Sequence, residues 1–187
     1  PDRLGGLVRC AEGCHDAAVA YGAPFISGKD SLNNEYTGAD GRKHAIPGTL
    51  LISAIGIVPD TARAVTSDLK AAGNRVYVLG LTGDELGASA YYRLHGLLGA
   101  NVPQSPERGL ELLRGLHRAI AAGLVQTCHD CSEGGLAVAA AEMSLAGGLG
   151  LTLDLRRLPQ TPVAGRDATL AFSESLGRFL VEVRPQD

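Results

Sequence analysis

Three short segments and a set of four cysteines hold the residue types that could do chemistry in this 187-residue chain. The first segment is Ser27-Gly28-Lys29-Asp30-Ser31-Leu32-Asn33-Asn34-Glu35. Gly28 permits a close approach of backbone to ligand. Lys29 offers a cation to a phosphate and Ser31 a hydroxyl donor. Asp30 and Glu35 supply hard oxygens of the kind Mg2+ takes. The spacing of a P-loop is absent, because only Gly-Lys is shared with it. The competing reading is a polar turn whose Asp, Ser and Asn side chains satisfy their own backbone.

The second segment is Cys128-His129-Asp130-Cys131-Ser132-Glu133-Gly134-Gly135-Leu136. It falls between an expected strand and an expected helix. Ser132 reads as the N-cap, and the free N–H groups behind it as an anion site. Asp130 ends the strand, where a carboxylate could hold a metal beside those N–H groups. The alternative is a capped helix with a Gly-lined packing face. The third segment, Thr82-Gly83-Asp84-Glu85-Leu86-Gly87, reads as an anion cradle or, more simply, as a tight turn. Cys128-x-x-Cys131 and the pair Cys10 and Cys14 could together form a zinc site with four thiolate ligands. Cys14 falls on the apolar side of its helix, however, and Cys131 just outside the helix that follows it, so inert thiols are the reading adopted. His15, His44, His95 and His117 are scattered, and no Gly-x-Ser-x-Gly elbow anchors a serine hydrolase.

The elements that must position these residues follow from periodicity. Leu4, Leu7, Ala11, Cys14, Ala18 and Tyr21 recur at helical steps, predicting a helix over 3–21 that Gly22 stops. A short strand is expected over 23–27, a polar exposed stretch over 37–47 and a buried strand over 49–58. Residues 61–74 read as a linker. Beyond it, strands are expected over 75–81, 124–128, 149–155 and 179–183. Helices are expected over 89–95, 107–122 and 133–146, the second carrying Leu110, Leu113, Leu116 and Ile120 as its apolar stripe. Leu149, Leu151, Leu153 and Leu155 alternate strictly, as on a strand with one buried face. This order predicts an α+β fold with helices packed on a largely antiparallel or mixed sheet.

Composition narrows the function. Apolar residues make up 45% and charged residues 20% of the chain, which excludes a disordered chain, a coiled coil or a collagen-like fibre. The net charge of -3 leaves no basic field for nucleic acid or an anionic membrane. Aromatics at 4% argue against a base-stacking platform. The longest apolar run, 49–58, is too short for a bilayer, and nothing points to secretion, so a reducing cytoplasm is expected. Pro1 at the start and an apolar strand near the end lead us to expect a piece of a longer polypeptide.

Four segments in order carry a resemblance. Gly28 to Glu35, Pro47-Gly48-Thr49-Leu50-Leu51-Ile52-Ser53-Ala54-Ile55-Gly56, Thr82-Gly83-Asp84-Glu85-Leu86-Gly87-Ala88-Ser89, and His129 to Leu136 resemble the second half of the phosphoribosylformylglycinamidine synthases. Order and spacing agree across essentially the whole chain. The wider superfamily holds aminoimidazole ribonucleotide synthetase, selenophosphate synthetase, a hydrogenase maturation factor and thiamine-phosphate kinase. The resemblance implies the end of a second N-type domain over 1–60, a linker over 61–74 and most of a second C-type domain over 75–187. It implies an ATP- and Mg2+-dependent ligase that phosphorylates the amide oxygen of formylglycinamide ribonucleotide. Ammonia from a glutaminase subunit or domain then displaces the phosphate.

By the same resemblance, Gly28, Lys29 and Ser132 contact nucleotide and Ser31 contacts substrate. Asp130 matches the metal carboxylate, and Ser132 the phosphate-side serine, of a non-catalytic nucleotide site that large-type members carry in the second half; Asp30 is the nearest substitute metal ligand beside Lys29. Lys29 stands where small-type members carry a metal-ligating Asn; an ammonium cannot ligate Mg2+ but can place positive charge beside phosphates. The family's catalytic His and most of its Mg2+ carboxylates belong to the first half, so no catalytic residue is expected in this chain. Partnership with the N-terminal half of the same synthetase is implied. The alternatives are another ATP-dependent member of the superfamily and a non-catalytic nucleotide-binding or scaffold module.

Overall fold

The computed structural model describes residues 2–31, 34–162 and 166–187. It divides into two compact units, Pro1–Ile57 and Val58–Asp187.

In the first unit, helix α1 spans Asp2–Tyr21, as its apolar spacing predicts. It ends where the Ala23 N–H reaches back to the Ala18 carbonyl at 3.0 Å. Strands β1 (Glu35–Thr37) and β2 (Lys43–Ala45) pair antiparallel, with Tyr36 opposite His44. Their rings stack at 5.3 Å, which places His44 in a cross-strand pair. The sequence reading has the exposure of this stretch right but misses the hairpin. The Asp40-Gly41 pair between its strands is a hairpin signal.

The strands expected over 23–27 and 49–58 do not form. Leu51, Ile55 and Ile57 are 89%, 89% and 93% exposed. The segment's apolar, partly β-branched character favours a strand. A strand also needs a neighbour's N–H and C=O groups, and no described residue supplies them to 49–58.

In the second unit, β3 (Arg75–Leu79), β4 (Val125–Asp130) and β5 (Phe179–Val183) form one antiparallel sheet in the order β3-β5-β4. The register sets Val181 opposite both Tyr77 and Cys128. Helix α3 (Gly109–Ala121) covers one face through Leu116, Ile120, Val125 and Val181. Helix α4 (Gly135–Gly147) covers the other through Leu136, Ala139, Met143 and Leu180. Short helices α2 (Ala90–Leu94) and α5 (Asp167–Phe172) complete the unit. Period-2 alternation on β5 sends Leu180 to one helix and Val181 to the other. The expected α+β class, with helices on an antiparallel sheet, is the observed architecture.

Two expectations change here. Residues 61–74, read as a linker, are built into the second unit: Leu69 is in the α4 core, and its N–H donates to the Met143 carbonyl at 3.2 Å. Residues 149–155 do not join a sheet. Their four alternating leucines nevertheless pack on the α4 core. Extended backbone alone produces that alternation, so the pattern identifies the buried face without requiring a ladder.

The alternation on β5 also turns Glu182 inward, where it is 1% exposed. Its carboxylate accepts from the Lys70 N–H (2.8 Å), the Ala71 N–H (3.1 Å), Asn74 Nδ2 (2.7 Å) and Thr127 Oγ1 (2.8 Å). Burial pushes its pKa up, but these four donors outweigh burial and hold it below the usual carboxylate range. Glu182 thus pins the 70–74 loop to the sheet.

Candidate functional site

The Gly28–Ser31 loop is exposed. Lys29 Nζ donates to the Asp30 carbonyl and lies 3.3 Å from Ser31 Oγ. A Cβ at Gly28 would meet open space, so nothing within the fold requires glycine there. Leu32 and Asn33 of this motif lie outside the described residues. Gly28, Lys29, Asp30 and Ser31 therefore form one loop held by its own side chains, with the Lys29 ammonium turned onto its neighbours.

Asp130 ends β4, as expected, and its side chain is 61% exposed. Ser132 Oγ donates to Asp130 Oδ2, and this bond foremost holds the Asp130 carboxyl below its ordinary range. His129 lies between two carboxylates, with Nδ1 3.5 Å from Asp130 Oδ1 and Nε2 3.2 Å from Glu142 Oε2. Asp130 and Ser132 are thus brought together. Ser132 is not the helix N-cap, however. Helix α4 is capped by Gly134 in the left-handed region (φ 79°), with no side-chain cap bond. The Gly134 N–H donates to Glu174 Oε1 at 2.8 Å, so a carboxylate of the chain itself meets the N–H expected to face an external anion.

Glu174 belongs to a segment that sequence reasoning passed over, Ser173-Glu174-Ser175, just after α5. Its Oε1 also accepts from the Ala90 N–H at 2.7 Å, at the start of α2. The flanking serines hold Gly83: Ser173 Oγ donates to its carbonyl (2.8 Å), and Ser175 Oγ accepts from its N–H (2.9 Å). Arg178, 1% exposed, donates to the Ser173 carbonyl, the Ser175 carbonyl (3.1 Å) and Thr82 Oγ1 (3.0 Å). Burial pulls its pKa down, while Cys131, Glu85 and Glu174 nearby act the other way. The Cys131 N–H donates to the Arg178 carbonyl at 2.9 Å. The third motif is therefore a held loop, with Ser89 capping α2 at Tyr92 N (3.1 Å). A cavity of about 1400 Å³ opens beside it, lined by Gly83, Asp84, Glu85, Arg114, Arg118 and Ser175 among others. The one sequence signal for the missed segment was a polar triplet between Phe172 and Leu176, which by type alone reads as a surface turn.

The cysteines are all free thiols. Burial pushes the Cys131 thiol up to about 11 and raises Cys128 as well, the opposite of an activated Cys-x-x-Cys pair. Among the described residues no group of three His, Cys, Asp or Glu side chains could hold a metal ion. Mg2+ is still compatible with this chain, because it keeps several waters and needs only one or two carboxylates plus substrate phosphates. The ionised Asp130 offers such a ligand.

Residues 54–187 match the family model of the AIR synthase related protein, C-terminal domain. The chain belongs to that family. Members similar to it include the phosphoribosylformylglycinamidine synthase subunit PurL of Deinococcus radiodurans, 39% identical over 95% of this chain and 24% of that protein. The PurL of Methanocaldococcus jannaschii is 34% identical over 100% of this chain and 26% of its own length. The chain thus spans about a quarter of the length of these relatives. Among solved structures, Thermotoga maritima PurL complexed with FGAR shares the fold at a TM-score of 0.58 and 22% identity, over 67% of this chain and 22% of that one. The same protein complexed with ATP gives 0.55 and 24%, over 67% and 20%. The AIR synthase related C-terminal domain, residues 54–187, therefore holds the 82–89, 130–135 and 173–178 segments.

Proposed function

We propose that this chain is part of an ATP-dependent carbon–nitrogen ligase. The ligase converts formylglycinamide ribonucleotide and glutamine-derived ammonia to formylglycinamidine ribonucleotide in purine synthesis. The observation that carries this reading is the 34–39% identity, over nearly the whole chain, to proteins named as phosphoribosylformylglycinamidine synthase subunits. The ATP and FGAR complexes of the T. maritima protein support the same two ligands here. Its PurLQS structure supports a multisubunit setting, in which a glutaminase supplies ammonia. We place the reaction in the cytoplasm; among the described residues no helix is long and apolar enough to cross a membrane.

Phosphoryl transfer asks the protein for positioning and charge, with little covalent chemistry. In our reading Gly28 lets the backbone approach the nucleotide. The Lys29 ammonium exchanges its contact with the Asp30 carbonyl for phosphate oxygens, and Ser31 Oγ, 3.3 Å from it, turns to the substrate. Ser132 and the ionised Asp130 serve a second phosphate-side position. Asp130 would hold Mg2+ at that second position, and Asp30 would separately do so at the Gly28–Ser31 loop; the ion neutralises phosphate charge when bound. The activated substrate must be kept from water, which a partly exposed loop does only once joined to the rest of the protein.

The test is the full-length synthetase with ammonium replacing glutamine. Lys29→Ala is expected to raise the KM for ATP roughly 10-fold while leaving thermal stability unchanged. The isolated 187-residue chain is expected to show no turnover. Robust amidation by that chain alone, or wild-type kinetics in Lys29→Ala, would overturn the assignment of these roles.

A further inference from the structure

The Ser173–Arg178 segment touches two of the motif loops at once. One carboxylate oxygen, Glu174 Oε1, accepts from the first turn of α2 at Ala90 N (2.7 Å) and from the cap of α4 at Gly134 N (2.8 Å). The Glu174 N–H donates to the Glu85 carbonyl at 3.2 Å. Two glycines of the motif regions make room for this segment. A Cβ at Gly80 would strike the Gly177 carbonyl oxygen, and a Cβ at Gly135 the Ser173 carbonyl oxygen. Between Glu85 and Ala90, both bonded to Glu174, Ala88 holds a left-handed backbone (φ 60°). Such strain in a residue with a Cβ persists only where its surroundings over-determine it.

We infer that Glu174 is a positioning residue for the ligase reaction, its carboxylate setting the 82–89 and 130–135 loops in one mutual geometry through the Ala90 and Gly134 N–H groups. This rests on the function proposed above. Asp130 and Ser132 are then held in one place relative to the 82–89 loop, whose Gly83, Asp84 and Glu85 border the cavity. Arg178 completes the device: its guanidinium holds the Ser173 and Ser175 carbonyls, so that the Glu174 backbone cannot drift. The carboxylate works as an acceptor shared by two donors. An amide oxygen at the same place can do the same, whereas a methyl group cannot.

The experiment compares the full-length wild-type enzyme with Glu174→Ala and Glu174→Gln, using ammonium as nitrogen donor. Amide hydrogen exchange at Ala90 and Gly134 is read alongside the KM for ATP and for the ribonucleotide. Glu174→Ala is expected to lose protection at both amides together and to raise at least one KM by roughly 10-fold to 100-fold. Glu174→Gln is expected to restore protection and most of the KM. A working wild-type enzyme whose Glu174→Ala variant keeps both KM values overturns the role of Glu174, whatever happens to its melting temperature. So does a Glu174→Gln variant as impaired as Glu174→Ala. A full-length wild-type enzyme with no ATP-dependent amidation instead overturns the functional reading, and the wild-type measurement alone reveals it.

Discussion

The loops at Gly28–Ser31 and at Asp130–Gly135 look alike as sequence: each sets a carboxylate and a serine beside glycine. Their supports differ. The first is bound by Lys29 to its own neighbours and leaves open space around Gly28. The second is anchored by partners distant in sequence, through Gly134 N–H to Glu174 and Cys131 N–H to the Arg178 carbonyl. A loop held by local side chains can reorganise around a ligand at small cost. A loop held by long-range backbone bonds is preorganised, and a change in its supports is felt as lost stability.

The sharpest way to break this contrast is Gly135→Ala. Gly135 has φ 63°, and an added Cβ would meet the Ser173 carbonyl oxygen. The strain and the collision together are expected to cost about 3 kcal/mol, read by denaturant unfolding. A loss under about 1 kcal/mol would mean that the Ser173–Arg178 segment yields easily and the anchored loop is not rigid.

Next comes Glu182, which anchors the same sheet from the opposite end of β5. Glu182→Ala leaves two N–H groups and an amide without their acceptor, while Thr127 Oγ1 keeps the Asp68 carbonyl at 2.9 Å, at an expected cost of about 2–3 kcal/mol. The effect also has a sign in pH. The folded pKa of Glu182 lies below its unfolded value, about 4.3. Its contribution is therefore complete above the unfolded value and is lost as pH falls through the folded one. The stability gap between wild type and Glu182→Gln should be widest near neutrality and should close in acid. A gap that grew on acidification would show that Glu182 is protonated in the fold.

The smallest expected effect on stability is Gly28→Ala. Its methyl group enters open space, so a change within about 0.5 kcal/mol is expected, together with weaker nucleotide binding in the full-length enzyme. Unfolding and ATP titration of one variant separate the two. A large stability loss would show that the first loop is anchored after all.

Periodicity exposed much of this molecule. Helices α1 and α3 and strand β5 lie where apolar spacing puts them, α4 where small residues run up to Gly147-Gly148, and β3 on a continuous apolar run. The same rule found the Leu149–Leu155 face but not its lack of a ladder, and it found the apolar character of 49–58 but not the partner a strand needs. The place of Asp130 at a strand end was legible from the strand pattern; the bond it accepts from Ser132 Oγ was not, because Ser132 reads by type as an N-cap.

By itself the sequence determined the α+β class, the buried faces of α3, β5 and the 149–155 segment, the motif loops and, through their order, the family. Tertiary structure alone decided which loop is preorganised. Glu174 lies 84 residues from Ala90 and 40 from Gly134, and Glu182 about 110 from the loop it pins. Neither spacing nor residue type marks a carboxylate that will be buried against another segment's N–H groups. Only the sheet, by turning β5 and the segment before it into the space between two helices, brings those charges to their donors.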